Sequence, residues 1–240
     1  MNRLLNLSIV FIVTVTLFSG CKFLEGIKHK TANPANPLKQ IAVLPLQNDT
    51  TDVDAPAFVR NKLIESLQNK QYNVKPIETV DPLLRDRLGV TLGGQLKLAS
   101  PKKLKEVLDV DGVIMGTLMD FSETTTGVYN VRKVRGQFRM VNCHTGETFW
   151  RNGIGVKSHD STSDLAGTAT AFADELNDNS DKEVPWVTME SKTSEYDAAE
   201  NFALGIGKKL FSKATNSFLE AETEEMIRRA TETLPAGPGM

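Results

Sequence analysis

The chain has 240 residues, of which 24% are charged and 40% hydrophobic, with a formal net charge of −2. That length bounds it to one domain, or one domain with extensions, and a core of useful size. The near-neutral balance provides no basic field to hold nucleic acid.

Residues 1–20 have the layout of a signal peptide: Arg3 gives a short positive start, Leu4 to Phe18 is apolar apart from Asn6, Ser8, Thr14 and Thr16, and Ser19 and Gly20 are small, as a peptidase subsite requires. The rival reading, an uncleaved membrane anchor, needs ~20 apolar residues, and this run is shorter. The small pair directly before Cys21 resembles the lipobox of bacterial lipoproteins, with one departure: leucine is usual three places before the cysteine, where this chain has Phe18. The resemblance implies cleavage between Gly20 and Cys21, diacylglycerol on the Cys21 thiol, and an acyl chain such as palmitate on the new amine. Each buried CH₂ contributes ~0.8 kcal/mol, and two or more chains anchor stably without a spanning segment. Lys22 stands where aspartate retains enteric lipoproteins in the inner membrane, so the same resemblance implies the outer membrane. With Cys21 consumed by lipid, Cys143 is left as a lone thiol.

Residues 21–39 read as the lipidated cysteine and a flexible tether. Pro34 and Pro37 among asparagines and lysines make a poor helix or strand. Fully stretched, the tether reaches roughly 60 Å. His29 lies within it.

Residues 40–158 carry the pattern of an α/β domain. The run from Ile41 to Leu46 is apolar at every position but Pro45, as in a central strand covered on both faces. Asp54 is placed to cap the next helix, with Pro56 in its first turn and Val59, Leu63, Ile64 and Leu67 at helical spacing. A strand begins at Tyr72. The stretch from Arg87 to Ser100 contains glycines and reads as a flexible loop. Ser100-Pro101 starts a helix whose inner stripe is Leu104, Val107 and Leu108, and Val113 to Phe121 is a second apolar strand. From Val128 to Val141 the faces separate: Val128, Val134, Phe138 and Met140 on one, Lys133, Arg135, Gln137 and Arg139 on the other. The turn at 142–147, with Gly146, returns Thr148 to Val156 as a hairpin partner. The order β-α-β-α-β-β-β predicts an α/β sandwich with a mixed sheet. Residues 159–195 read as a loop-rich segment with a short helix. Residues 196–240 form a C-terminal helical extension, with an apolar stripe at Tyr196, Ala199, Ala203, Ile206 and Leu210 and a frayed tail.

No hydrolase, phosphate-loop, zinc-protease or dinucleotide motif is present, so no catalytic residue, metal ligand or cofactor is assigned beyond the lipid on Cys21. Cys143 and His144 adjoin in a turn, which makes a poor nucleophile and base. His159, Asp160 and Ser161 spell triad letters in a row, but triads are assembled in space. Asp49, Asp52 and Asp54, and Asp109 with Asp111, lack EF-hand spacing and read as caps and turns. Arg132, Lys133, Arg135 and Arg139 are a local basic cluster: a solvated sheet face, or a candidate partner face for an acidic protein or an anionic cell-wall polymer.

Four stretches together, the lipobox, IAVLPLQNDTTDVDA, LKEVLDVDGVIMGTLMDF and NCHTGETFWRNG, resemble a family of bacterial lipoproteins that includes a neisserial surface-antigen candidate. Its fold is similar to the N-terminal domain of TolB, to the curli-secretion lipoprotein CsgG and to the synthase activator LpoB. The resemblance implies an envelope module tethered to the outer membrane, non-enzymatic, with envelope proteins as partners, a CsgG-like lipoprotein among the candidates, and a role in envelope assembly or export. Two alternatives stay open: a subunit of a CsgG-like secretion channel, and an envelope hydrolase. Against the first, no long alternating insertions of the membrane-hairpin type are visible. Oligomeric state is not legible.

Overall fold

A strand buried on both faces must satisfy two cores at once, and the first apolar run does so. The structure is a computed structural model that describes residues 31–125, 129–161, 184–190 and 219–239. In it β1 (Gln40–Val43) sends Ile41 and Val43 into one core and Ala42, followed by Leu44, into another. The chain continues through a two-residue strand β2 (Gln47–Asn48), helix α1 (Ala55–Asn69), β3 (Asn73–Val74), helix α2 (Ile77–Leu88), a 3₁₀ turn (Gly93–Leu98) and helix α3 (Pro101–Leu108). Three long strands follow, β4 (Gly112–Thr125), β5 (Tyr129–Asn142) and β6 (Thr148–Ser161), then β7 (Trp186–Glu190) and helix α4 (Glu220–Ala230). The sheet order is β3-β1-β4-β5-β6-β7, with β2 also on β4. β3, β1 and β4 run parallel, β4-β5-β6 antiparallel, and β7 parallel to β6. The expected α/β sandwich with a mixed sheet is what the chain forms.

Each face has its own core. On one, α1 and α4 pack Val59, Leu63, Met226 and Ile227 over Val43, Ile114, Phe138 and Met140. On the other, α2, α3 and the 3₁₀ turn pack Val80, Leu84, Leu96 and Leu104 over Ala42, Val113 and Val141. Val43 and Ile114 pair directly across β1 and β4, at 1% and 0% exposure, which meets the expectation that both lie in adjacent central strands.

Several local expectations are corrected. The cap of α1 comes from Asp52, whose Oδ1 accepts the backbone N–H groups of Asp54 and Ala55 at 2.9 Å, while the Asp54 side chain makes no cap bond. The stretch from Arg87 holds the end of α2, closed by Gly89, and the 3₁₀ turn. Gly93 lies so close to the Leu46–Gln47 backbone that a Cβ would sit 2.2 Å from the Leu46 carbonyl carbon, so only glycine lets this turn pack there. Folded structure starts before residue 40: Asn36 and Leu38 are buried, and Asp111 Oδ2 accepts the N–H groups of Lys39 and Gln40 at 3.0 Å. It also continues past 158 through β6, β7 and α4. The expected frayed tail is held. Gly237 N–H donates to the Lys70 carbonyl, Asn33 N–H to the Gly237 carbonyl, and Leu234 is fully buried. Tyr72 Oη donates to the Pro235 carbonyl, and Asn36 Nδ2 donates to Tyr72 Oη and to the Ala236 carbonyl. His29, Val128 and the stripe from Tyr196 to Leu210 lie outside the described residues.

Candidate functional site

Most residues singled out by the sequence carry structural work. Cys143 is buried at the start of the β5–β6 turn, and burial pushes its thiol up to about 11. His144 points elsewhere. Its Nδ1 lies 2.8 Å from Lys105 Nζ and its Nε2 3.0 Å from Asp111 Oδ1, so an ammonium donates to one nitrogen and the other donates to a carboxylate. Burial works against ionisation of Asp111, but the bonds from His144, Gln40 and Lys39 outweigh it and hold the carboxyl below its usual range. The imidazole thus ties α3 and the hairpin turn to the start of β1, and Cys143 and His144 make no nucleophile–base pair. His159, Asp160 and Ser161 are consecutive residues at the end of β6. Asp109 takes the left-handed backbone that ends α3. Among the described residues no group of three or more His, Cys, Asp or Glu side chains could hold a metal ion. No described helix is long and apolar enough to cross a membrane. Gly20 and Cys21 lie outside the described residues.

The four basic residues of β5 do not share one surface. Arg132 faces α4: its guanidinium lies 3.5 Å from Glu123 and 4.0 Å from Glu222, and the buried Glu222 carboxylate also accepts from Ser158 Oγ. Lys133, Arg135 and Arg139 belong to the opposite face. Arg135 is itself buried, its guanidinium 5.2 Å from the Trp186 ring, and Lys157 Nζ approaches the same ring at 4.5 Å. A cation over an indole face contributes ~0.5–2 kcal/mol. Of the four, Arg139 is the exposed one.

Around Arg139 the structure assembles a site that the sequence reading missed. Arg151 stands directly opposite it across the β5–β6 ladder, and Met115 opposite it on β4. The 3₁₀ turn adds Lys97, which lines the same cavity of about 240 Å³ as the two arginines. A second cavity of about 410 Å³ continues past Arg139 along Leu98 and Met115 to the hairpin turn. Neither is lined by an aspartate or a glutamate. Leu98 is 94% exposed at the rim, and Leu92 and Val53 (67% and 86%) project beside the neighbouring crevice. That crevice, about 590 Å³, lies past the carboxyl end of β1, where open α/β sheets commonly bind ligands. Its one buried charge, Arg60, is fully engaged by two bonds to the Val43 carbonyl and a bidentate pair with Asp81 at 2.7 and 2.8 Å.

Comparison with known proteins gives a consistent set of relatives. The family model described as "Putative lipoprotein GNA1162-like" matches residues 28–186. A relative described as a lipoprotein in the same terms, NMB1124/NMB1162 of Neisseria meningitidis serogroup B, is 23% identical over 166 residues, 66% of this chain and 75% of its own. Among solved structures, lipoprotein GNA1162 from Neisseria meningitidis is similar with a TM-score of 0.46 and 19% identity, over 57% of this chain and 94% of that one. The C-terminal domain of LpoB from Escherichia coli is similar at 0.34 and 15% identity, over 52% of this chain and 87% of that one.

Proposed function

The chain belongs to the GNA1162-like lipoprotein family, and from that premise we propose that it is an outer-membrane-tethered lipoprotein, anchored through Cys21, whose α/β domain binds other envelope proteins as a non-enzymatic accessory in assembly or export. The family match over residues 28–186 carries the reading. The N-terminal pattern supports the anchor: Ser19-Gly20 precede Cys21, and Lys22 rather than aspartate follows it. Acyl chains on Cys21 hold a folded domain at a bilayer without a spanning helix. The binding role is supported by how the polar residues are spent. Cys143, His144, Asp111, Arg60 and Asp81 serve packing, capping and pairing, whereas the exposed Lys97, Arg139 and Arg151 converge on one cavity, with exposed Leu98 at the rim of the next.

The test has two arms. Cys21→Ser should leave the protein unacylated, and either released from the membrane fraction or stalled with its signal peptide attached. An unchanged membrane fraction and an unchanged N-terminal peptide mass would refute the anchor. Crosslinking of the native protein in intact envelopes, read by mass spectrometry, should recover a discrete set of envelope proteins. Recovery of none, or single-channel conductance by a detergent-purified oligomer, would refute the accessory role and in the latter case favour a secretion channel.

A further inference from the structure

We propose that the groove between the 3₁₀ turn and the β5–β6 hairpin, walled by Lys97, Arg139 and Arg151, is the docking site for an extended acidic segment of a partner protein that carries aliphatic side chains between its carboxylates. The inference rests on the reading of this chain as a protein-binding module and names the surface and the chemistry of the ligand.

The argument begins with charge placement. Arg139 and Arg151 are direct cross-strand neighbours on one face of the sheet, and like charges directly opposite one another are destabilising. Five other arginines among the described residues are paired with carboxylates. Arg60 meets Asp81, Arg85 meets Asp86, Arg132 meets Glu123, and Arg228 and Arg229 both meet Glu225. Arg139 and Arg151 meet no carboxylate among the described residues; the one polar contact of Arg139 is its Nη2 at 3.4 Å from Met115 Sδ. Lys97, which makes no ion pair either, converges on the same cavity. Three exposed cations around a concavity with no acidic lining make a field that an anionic ligand complements. Guanidinium forks suit carboxylates in particular, because two parallel N–H bonds fit two oxygens.

The apolar part of the surface selects among anions. Leu96, Met115 and Val141 line the groove, and Leu98 stands almost wholly exposed at its rim. A phosphate polymer or a lipid headgroup has no use for these side chains, whereas a peptide with alternating carboxylates and aliphatics covers both. An exposed leucine beside unpaired arginines suits an interface with an apolar contact and a cationic rim.

The test uses the full-length protein in detergent and three probes: a fluorescent decapeptide of alternating Glu and Leu, its twin with Gln for Glu, and phosphatidylglycerol vesicles. The acidic peptide should bind, and the Gln twin should bind at least about tenfold more weakly. Arg139→Gln and Arg151→Gln should each weaken the acidic peptide by about fivefold or more and flatten its salt dependence. The same substitutions should leave the melting temperature of the free protein unchanged or raise it, because each relieves the repulsion across the ladder. Equal binding of the two peptides, or unaltered binding by the double variant, overturns the proposal. So does vesicle binding that depends on the arginines while the peptide is ignored, which would make the groove a lipid surface. Photo-crosslinking in intact envelopes separates the two levels of the argument. If the Arg139→Gln/Arg151→Gln protein still captures the native partners, the groove is wrong and the binding module stands; if the native protein captures none, the module itself fails.

Discussion

The phase of β4 is the most economical point at which to test the fold, because adjacent residues on it face different surroundings. Ile114 is fully buried, in register with Val43 on β1 and Met140 on β5, and roofed by α1 and α4. Met115, one residue on, points to the opposite face, partly buried at the groove. Strands pinned on both sides cannot collapse into the hole that Ile114→Ala leaves. The lost transfer energy and the residual cavity together cost roughly 2–5 kcal/mol, whereas Ile114→Val costs about 0.5–1.5. Met115→Ala removes a side chain that still sees solvent and costs about 1 kcal/mol or less. With a urea m-value of about 2 kcal/mol/M, the Ile114→Ala midpoint should fall by about 1–2.5 M, and the Met115→Ala midpoint by about 0.5 M or less. Urea unfolding followed by circular dichroism reads both. Equal shifts for the two alanine variants, at unchanged m, would mean that the strand's faces are assigned wrongly.

Other consequences are open to direct measurement. A Cβ at Gly237 would lie 2.2 Å from the Gln71 carbonyl oxygen, so Gly237→Val should expel the tail at a cost on the order of 1–3 kcal/mol. Hydrogen exchange should then quicken at the Asn33 and Gly239 amides, and unchanged exchange there would show that the tail is not held by these bonds. Glu225 is held down to about 2 by the Arg228 guanidinium, against a burial penalty and with help from Arg229. A folded pKa below the unfolded value stabilises at high pH, so this contribution is complete above about 4.5 and fades as the pH falls toward about 2. Glu225→Gln should therefore destabilise at neutral pH, and its gap from the parent should narrow across that acid window; a gap constant with pH counts against the pairing. The Cys143 thiol, pushed up by burial and then by Asp111, should resist iodoacetamide in the native protein and react once urea unfolds it. Fast native labelling would place it at the surface.

The strands most continuously apolar were the most legible. Ile41 to Leu44 and the pair Val113–Ile114 are covered on both faces, and consecutive apolar residues record that demand. Helix α2 was not legible, since it buries only Val80 and Leu84 and holds Pro82, which withholds a backbone donor inside the helix. β7 was hidden because a five-residue strand following a polar stretch has no periodicity to show. The tether and tail were misjudged for one reason. Asn36, Pro235 and Gly237 are loop formers by composition, and only the fold shows that residues 33–36 and 235–237 meet over Tyr72 and satisfy each other's polar groups. The basic cluster of β5 was read as a run, but alternation sends Arg132 to the α4 side and burial takes Arg135 under Trp186. The groove needed Lys97 and Arg151 as well, which sequence distance separates from Arg139.

What brings Arg151 to that groove is a single irregularity. Val141 pairs with Thr148, and an unbroken hairpin would set Met140 against Phe149 and Arg139 against Trp150. Instead the register shifts between Met140 and Val141, so that Met140 meets Trp150 and Arg139 meets Arg151. An extra residue in one strand of a pair reverses every side chain beyond it, and such bulges recur where a strand must aim a residue. Here the reversal acts on both faces at once. Trp150 turns inward, where its Nε1 donates to Thr233 Oγ1 at 3.0 Å, and Asn152 Nδ2 reaches the Ala230 carbonyl at the end of α4 at 2.8 Å. Arg151 turns outward, to stand against Arg139. The same bulge therefore fastens the C-terminal helix to one side of the sheet and completes the cationic groove on the other. Deleting Phe149 removes the extra residue, so that Trp150 follows Thr148 and a regular ladder keeps Met140 against Trp150 and Arg139 against Arg151; the variant should therefore retain both the bonds of Trp150 and Asn152 to the α4 end and the paired arginines of the groove. A Phe149 deletion that lost acidic-peptide binding, or whose α4 amides exchanged hydrogen much faster than the parent's, would refute this account of how the two faces are aimed.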